Sequence, residues 1–302
     1  MSGSTPLFRA YVAMFVAAFF WGSLPVASKA VVAFVPPAQQ SFVRTLSAFV
    51  VLTAFCLLVA GPGPLRAALR NPRDLTIQGF LSFCASSLTS LMALQYISAS
   101  LQAVLVSTFP VLLALTGLRE GGARLVVGSA IALVGIVAVV GGDDPTQILA
   151  GAIDMRGVGL SLLTALFIAG SQLWGQRTAR RGDPMGTTAM AAGAGTPMLA
   201  AIVLFNGDLG APLEAPGWAL WVLAYLGLFC TALNFGLWFW ALKYVSAAKA
   251  APIQYLSTPI SVLLAWWFLG ERLTLGLLVG TLLVLAGVWL TQARRRRALS
   301  EP

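Results

Sequence analysis

Long apolar stretches fill this chain, and its polar and helix-breaking residues are confined to the short segments between them. The stretches cover residues 10–33, 38–60, 75–97, 99–118, 122–141, 157–178, 185–206, 218–241, 248–269 and 273–292. A helix of about 20 apolar residues spans the hydrocarbon core of a bilayer. The intervening segments carry breakers such as Gly61-Pro62-Gly63-Pro64. The pattern predicts an all-α membrane protein with ten transmembrane helices.

The second half of the chain repeats the first. The peptide ALQYISAS at 93–100 returns as ALKYVSAA at 241–248, an offset of 148 positions. At the same offset, matching residues are Phe19 and Phe167, Gly22 and Gly170, Ser23 and Ser171, and Lys29 and Arg177. Each half, 1–145 and 146–302, is predicted to hold five spans, and an odd number makes the second half insert upside down. Two inverted five-helix repeats are the plan of many secondary transporters. The first span, whose motif recurs inside a later span, is expected to be an uncleaved helix rather than a signal peptide.

Composition and charge agree with a membrane protein. The chain is 58% hydrophobic and 10% charged, whereas a soluble domain carries about 25% charged residues. Its net charge of +9 comes from basic residues in alternate segments, ending with Arg294–Arg297. The positive-inside rule then places both termini in the cytoplasm of a multi-pass protein, and the residue usage is typical of a bacterial inner (plasma) membrane. This distribution argues against nucleic-acid binding.

Enzyme chemistry has no support in the sequence. The chain contains no histidine, and its three cysteines, Cys56, Cys84 and Cys230, lie far apart in predicted spans. No metal-binding, nucleophile or phosphate-binding motif is present. We therefore predict no catalytic residues, no metal and no cofactor.

Several motifs together resemble the drug/metabolite transporter superfamily, and within it the EamA-type ten-helix exporters. They are Trp21-Gly22 in the first span, Arg44 in the second, and a Pro…Glu…Gly pattern that runs through Pro110, Glu120 and Gly128 and again through Pro259, Glu271 and Gly280. The resemblance implies a basket of helices around a central cavity formed largely by helices 1, 3, 4, 6, 8 and 9. It also implies export or exchange of small metabolites, including amino acids and amphipathic drugs. Two departures are the shorter Pro–Glu spacing in the first half and the lack of an Arg44 counterpart in helix 7.

Polar side chains within the spans are the candidates for a binding site, because they are costly in a membrane unless they face protein or water. Ser82, Ser86 and Ser90 share one helix face, which fits either close helix packing or a cavity wall. Uncharged amides and aromatic rings suit a neutral, zwitterionic or aromatic solute. The candidate substrate-binding residues are Trp21, Ser86, Ser90, Gln172, Asn234, Trp238, Gln254 and Tyr255.

The charged residues near the spans leave alternatives open. Lys29 either extends to the membrane interface or binds an anionic group. Arg44, with no carboxylate predicted at its depth, either has a structural role or binds backbone carbonyls, lipid phosphate or an anionic substrate group. Glu120 and Glu271 lie at span ends and are expected to cap helices or bridge loops. No acidic residue lies inside a span, so facilitated efflux or exchange is favoured over a proton relay.

Four prolines are candidate hinges: Pro25, Pro110, Pro252 and Pro259. Each removes a backbone hydrogen bond and allows a helix to bend. Three of them fall in helices 4 and 9, which the repeat relates to each other. We expect these two helices to bend alternately and open each side in turn.

The sequence therefore predicts an inner-membrane secondary transporter that exports small metabolites by alternating access. Hydrophobic and aromatic amino acids are the favoured substrates. The alternatives are a multidrug or quaternary-amine efflux protein of the same fold, or a non-transporting membrane scaffold. The expected partners are a small-molecule substrate and the lipid bilayer, and the protein is a monomer or a homodimer.

Overall fold

A computed structural model describes residues 4–115, 118–141, 153–179, 183–206, 214–242, 244–245 and 253–298, and the regular elements in these ranges are helices. The α-helices are α1 (Ser4–Val31), α2 (Pro37–Ala60), α3 (Gly63–Leu69), α4 (Pro72–Gln78), α5 (Ser86–Tyr96), α6 (Ala99–Val106), α7 (Phe109–Leu115), α8 (Leu118–Gly141), α9 (Met155–Ala179), α10 (Pro184–Phe205), α11 (Gly217–Gly227), α12 (Asn234–Ala241), α13 (Ser257–Leu269) and α14 (Leu275–Ala298). Two π-helical segments, Gly79–Ala85 and Leu228–Leu233, join α4 to α5 and α11 to α12.

The helices follow the predicted spans to within a few residues at most boundaries. Six are long and apolar enough to cross a membrane: Pro6–Val31, Pro37–Ala60, Pro72–Tyr96, Met155–Gly175, Pro184–Phe205 and Gly217–Trp238. Shorter apolar helices at Ala99–Leu112, Val126–Gly141, Ser257–Leu269 and Leu275–Leu290 coincide with the predicted spans 4, 5, 9 and 10. The all-helical class is confirmed, and the count of ten crossings stays a prediction.

The outer surface is apolar and the interior holds polar side chains. Phe205 is 91% exposed and Leu58 86%, whereas Gln40 and Asn234 are completely buried. Large apolar side chains exposed around a helical bundle are typical of a surface that another apolar phase covers. A lipid bilayer fits this surface.

Two of the predicted spans are broken helices. A two-residue turn at Ser107–Thr108 separates α6 from α7, and another at Tyr255–Leu256 precedes α13. Pro110 lies in the first turn of α7, and Pro259 in the first turn of α13, where a missing N–H costs little.

Hydroxyl groups next to the breaks donate hydrogen bonds to backbone carbonyls, in place of the N–H groups that an unbroken helix would supply. Ser107 Oγ donates to Val104 O at 2.7 Å, and Ser257 Oγ donates to Gln254 O at 2.8 Å. Such side-chain bonds satisfy backbone carbonyls that a broken helix leaves free. The helix α1 runs through Pro25 without interruption, and Pro252 lies outside the described residues.

Helix packing follows a recurring scheme. The first helix, α1, packs against α12 and α13, and α9 packs against α5, α6 and α7. The helix α2 contacts the second π-helical segment and α10 contacts the first, while α8 and α14 pack against each other along their lengths. The two π-helical segments themselves lie at the spacing of the sequence repeat.

The bundle has two ends, which we call the near side and the far side. The near side is where α1 begins, and there Ala10 and Met14 pack against Ala241, the last residue of α12, and Val245. At the far side, where α1 ends, Phe34 meets Trp218 with ring centroids 5.3 Å apart.

Candidate substrate cavity

A cavity of about 710 Å³ lies among α1, α2, α5, α6, α9, α10, α12, α13 and the two π-helical segments. Its wall reaches the helix ends of the near side, at Ala60, Asp183 and Leu242. Toward the far side, its wall ends at residues such as Pro25 and Ser261, before α1 and α13 end. The cavity therefore extends from the middle of the bundle to the near side, and its volume is in the range of small-molecule sites.

Six of the eight candidate substrate-binding residues line this cavity. They are Trp21, Ser86, Ser90, Gln172, Gln254 and Tyr255. The serine face of helix 3, for which packing and lining were alternatives, contributes Ser82 as well as Ser86 and Ser90 to the wall. Asn234 and Trp238 are not among the wall residues and lie behind Trp21.

Two glutamines that sequence reasoning missed belong to the wall. Gln102 Nε2 donates to Ser90 Oγ at 2.6 Å, and Gln78 Nε2 donates to Ser82 Oγ at 2.8 Å. In each amide the Oε1 atom is buried and has no hydrogen-bond partner in the described part of the chain. Each oxygen is thus a buried acceptor whose hydrogen-bonding capacity is unused among the described residues. The sequence feature that could have identified Gln102 as a wall residue is its position as a single amide in the apolar span 99–118.

Asn234 orients Trp21 instead of facing the cavity. When its amide is turned to suit its neighbours, Oδ1 accepts from Trp21 Nε1 at 2.8 Å and Nδ2 donates to Ala17 O at 3.1 Å. Trp238 contacts the Trp21 ring edge-on, with centroids 5.0 Å apart, and Phe235 lies at 6.1 Å. Trp21 is thus the wall residue, and Asn234 and Trp238 support it.

Gly22 allows this part of α1 to approach the broken helix closely. A Cβ atom at this position would lie 2.7 Å from Ser257 O and 2.6 Å from Ile260 Cγ2. Real side chains do not reach such distances, so any larger residue would push α1 away from α13. The Trp21-Gly22 motif therefore combines a cavity wall residue with a helix contact.

We expect Asn234→Ala to impair transport indirectly, by releasing the side chain of Trp21. The change leaves the buried Nε1 of Trp21 without its acceptor, which costs about 1–3 kcal/mol, and allows the ring to leave its position. Substrate affinity should fall several-fold in both Asn234→Ala and Trp21→Phe. Because the two residues act together, the double variant should be little worse than either single variant. Fully additive losses in binding measurements would contradict the supporting role.

Arg44 is a wall residue from a helix outside the expected set. It is 8% exposed, and its Nε and Nη1 atoms are buried without a hydrogen-bond partner among the described residues. Thr45 and Cys230 line the cavity beside it. The resemblance implied a cavity formed largely by helices 1, 3, 4, 6, 8 and 9, and the structure adds α2, with Arg44, and α10, with Met185.

Lys29 and Glu271 hold the far side together. Lys29 Nζ donates to Leu94 O and Ile97 O, at the end of α5. Glu271 accepts from Ala99 N at 2.7 Å and from Ser100 N at 3.0 Å, at the start of α6. We call Lys29, Glu271 and the backbone of residues 94–100 the far-side clasp. A cation at a helix C-terminus and an anion at an N-terminus are both favoured by the helix dipoles.

Lys29 therefore donates hydrogen bonds to backbone carbonyls. Extension of its side chain to the membrane interface was one of the two alternatives from the sequence, and the structure does not show it. Glu271 caps a helix, and its counterpart Glu120 lies outside the residues whose side chains are described. Among the described residues, no group of three acidic, cysteine or histidine side chains could hold a metal ion.

Comparisons with known proteins agree with this architecture. The model of the EamA-like transporter family matches the chain twice, over residues 8–141 and 155–292. A probable terminal-alkyne amino-acid exporter of Streptantibioticus cattleyicolor is 30% identical over 81% of this chain and 83% of that protein. An uncharacterized inner membrane transporter of Escherichia coli K12, YedA, is 28% identical over 96% of this chain and 94% of that protein.

One solved crystal structure has the same fold. It superimposes with a TM-score of 0.64 at 18% identity and covers 98% of this chain and 100% of the other. The names of the family and of the relatives indicate a transporter rather than an enzyme.

Proposed function

We propose that this chain, which belongs to the EamA-like transporter family, exports small metabolites across the inner membrane by alternating access. The observation that carries the proposal is a polar, aromatic cavity that reaches one side of the bundle while the far-side clasp holds the other side together. An arrangement open to one side only is one of the two end states that alternating access requires.

The proposed layout is ten spans in two inverted repeats, 1–145 and 146–302. Three observations support it: the family model matches each half separately, π-helical segments occur at equivalent positions, and both halves contain a broken helix before a proline. Under the positive-inside rule the near side is cytoplasmic. The cavity would then accept its substrate from the cytoplasm, as an exporter must.

Hydrophobic and aromatic amino acids are the proposed substrates. Trp21 and Tyr255 offer aromatic surface, and Gln102 and the serines offer hydrogen bonds to a polar group. The name of the Streptantibioticus relative, an amino-acid exporter, points the same way. Quaternary amines are the alternative, because aromatic rings attract such cations.

Counterflow in proteoliposomes tests the proposal. Vesicles loaded with labelled L-phenylalanine should release it in a saturable manner, and faster when unlabelled L-phenylalanine is present outside. Labelled tetraethylammonium run in parallel tests the alternative. Release no faster than from protein-free vesicles, for L-phenylalanine and L-tryptophan alike and with folded protein, would contradict amino-acid export.

Pro259 gives a prediction about motion. Pro259→Ala supplies an N–H that can reach Tyr255 O and extend α13 across the break. We expect the transport rate to fall several-fold while the unfolding temperature stays equal or rises. Pro197→Ala is the matched control, since Pro197 lies inside α10 and is not a wall residue. An unchanged rate in Pro259→Ala would contradict a hinge at this break.

A further inference from the structure

We propose that Arg44 binds the carboxylate of the transported solute, and that the cavity selects for this carboxylate and not for an ammonium group. The inference rests on the proposed function and makes its substrate class more specific. It predicts that a carboxylate without an amino group is a ligand and that an amine without a carboxylate is not.

The first step is the state of the guanidinium group. Arginine keeps its charge in proteins, and a buried charge costs several kcal/mol unless it is paired. The Nε and Nη1 atoms of Arg44 have no partner in the described ranges. Among those same residues the ion pair found is Asp154 with Arg156, which is exposed and lies at the start of α9. The described protein thus leaves this buried charge without a carboxylate.

The second step is access. Arg44 is a wall residue of the cavity, as are Thr45, Ser87 and Cys230, which carry no formal charge. A planar guanidinium with free N–H groups is matched by the two oxygens of a carboxylate, which form parallel charge-assisted hydrogen bonds. One cation balances one negative charge, which favours a monocarboxylate over a phosphate dianion. Lys29, another basic residue within a membrane-spanning helix, already donates to the backbone carbonyls of Leu94 and Ile97.

The third step concerns the amino group of an amino acid. Asp183 is the acidic residue among the described wall residues. Its Oδ1 accepts from Met185 N and Gly186 N, both at 3.0 Å, where it caps α10 at the near side. An ammonium group in the cavity would therefore meet neutral polar side chains, such as those of the wall serines, and aromatic rings. These groups tolerate an ammonium but do not require one.

Three probes of similar shape separate the contribution of the carboxylate from that of the ammonium group. L-Phenylalanine carries both groups, 3-phenylpropionate carries only the carboxylate, and phenethylamine carries only the ammonium. Each is tested as a competitor of labelled L-phenylalanine for binding to the purified protein, and in counterflow. We expect 3-phenylpropionate to compete within a few-fold of L-phenylalanine, and phenethylamine to be at least ten-fold weaker.

Variants then assign the effect to one side chain. Arg44→Gln should weaken L-phenylalanine and 3-phenylpropionate at least ten-fold and leave phenethylamine unchanged, and Arg44→Lys should retain part of the preference. Arg156→Gln is the control, since it removes an equal charge outside the cavity and should leave all three ligands unchanged.

The outcomes distinguish this inference from the proposed function. If phenethylamine equals 3-phenylpropionate in the wild type, or if folded Arg44→Gln keeps the preference, the inference is wrong although export stands. If Arg44→Gln does not fold, the wild-type series and Arg44→Lys decide. If none of the three probes binds or is transported, the proposal of amino-acid export fails and the inference fails with it.

Discussion

Glu271→Gln is expected to open the far side of the cavity. The carboxylate caps α6 with one oxygen on Ala99 N and the other on Ser100 N, and Lys29 donates to Leu94 O and Ile97 O just before this helix. Glutamine keeps one acceptor oxygen but loses the charge and the second bond. Charge-assisted hydrogen bonds contribute about 1.5–3 kcal/mol, so the loss should shift the equilibrium toward an open far side by at least ten-fold.

A single cysteine at the far-side end of the wall reports this opening. Ser261→Cys is a conservative change at a residue that lines the cavity and is 1% exposed. In a background without the native Cys56, Cys84 and Cys230, a membrane-impermeant maleimide added to intact cells should label it at least ten times faster when Glu271 is Gln. Lys29→Met should also increase the labelling rate. The effects of Lys29→Met and Glu271→Gln should be less than additive, because both side chains bind the backbone of residues 94–100.

Glu214→Gln is the matched control for the clasp. Glu214 is an exposed carboxylate that precedes α11 at the same end of the bundle. Its replacement should leave the labelling rate unchanged. Equal labelling with and without Glu271→Gln, or an equal increase in Glu214→Gln, would contradict the clasp as the far-side closure.

The apolar stretches were sufficient to predict the helices, because Pro and Gly segments mark their ends. Helix 2 was expected at 38–60 and is observed at Pro37–Ala60. The shape of helix 4 was not predicted in detail. The break falls at Ser107–Thr108, ahead of Pro110, because the hydroxyl groups of both residues bond back to carbonyls and compete with the helical pattern.

The sequence indicated that three serines share a helix face, but it left open whether that face packs against a helix or lines a cavity. Residues four apart drift around a helix of 3.6 residues per turn, yet Ser82, Ser86 and Ser90 all line the cavity. The π-helical segment Gly79–Ala85 has more residues per turn and reduces this drift. No feature of the sequence predicted this π-helical segment.

The role of Asn234 could not be predicted because it depends on a neighbouring helix. Its spacing from Trp238 correctly put amide and indole on one face of a helix. That face turns toward Trp21 of α1, which lies between it and the cavity. A sequence gives the period of polar residues but not the rotation of one helix against the next, which packing decides.

Gly280→Ala is expected to cause a large loss of stability through the contact of α8 with α14. A Cβ atom at Gly280 would lie 2.6 Å from Gly135 O and 2.7 Å from Val139 N. Both are backbone atoms that cannot move aside, so the helices must separate. Membrane helices associate through close packing of small residues rather than through a hydrophobic driving force, and separation removes that packing. Overpacking of this kind costs about 1–3 kcal/mol or more.

The matched control for this contact is Gly159→Ala in α9. A Cβ atom at Gly159 would meet nothing within 4 Å, and alanine in a helix is favoured over glycine by about 0.5–1 kcal/mol. In detergent, Gly280→Ala should unfold at a clearly lower temperature and elute partly aggregated, whereas Gly159→Ala should equal or exceed the wild type. The two variants make the same chemical change, so similar unfolding temperatures would mean that α8 and α14 do not pack through these glycines. A lower unfolding temperature in Gly280→Ala alone would mean that a large part of the bundle's stability comes from the contact of α8 with α14. Each half of the chain contributes one of these two helices.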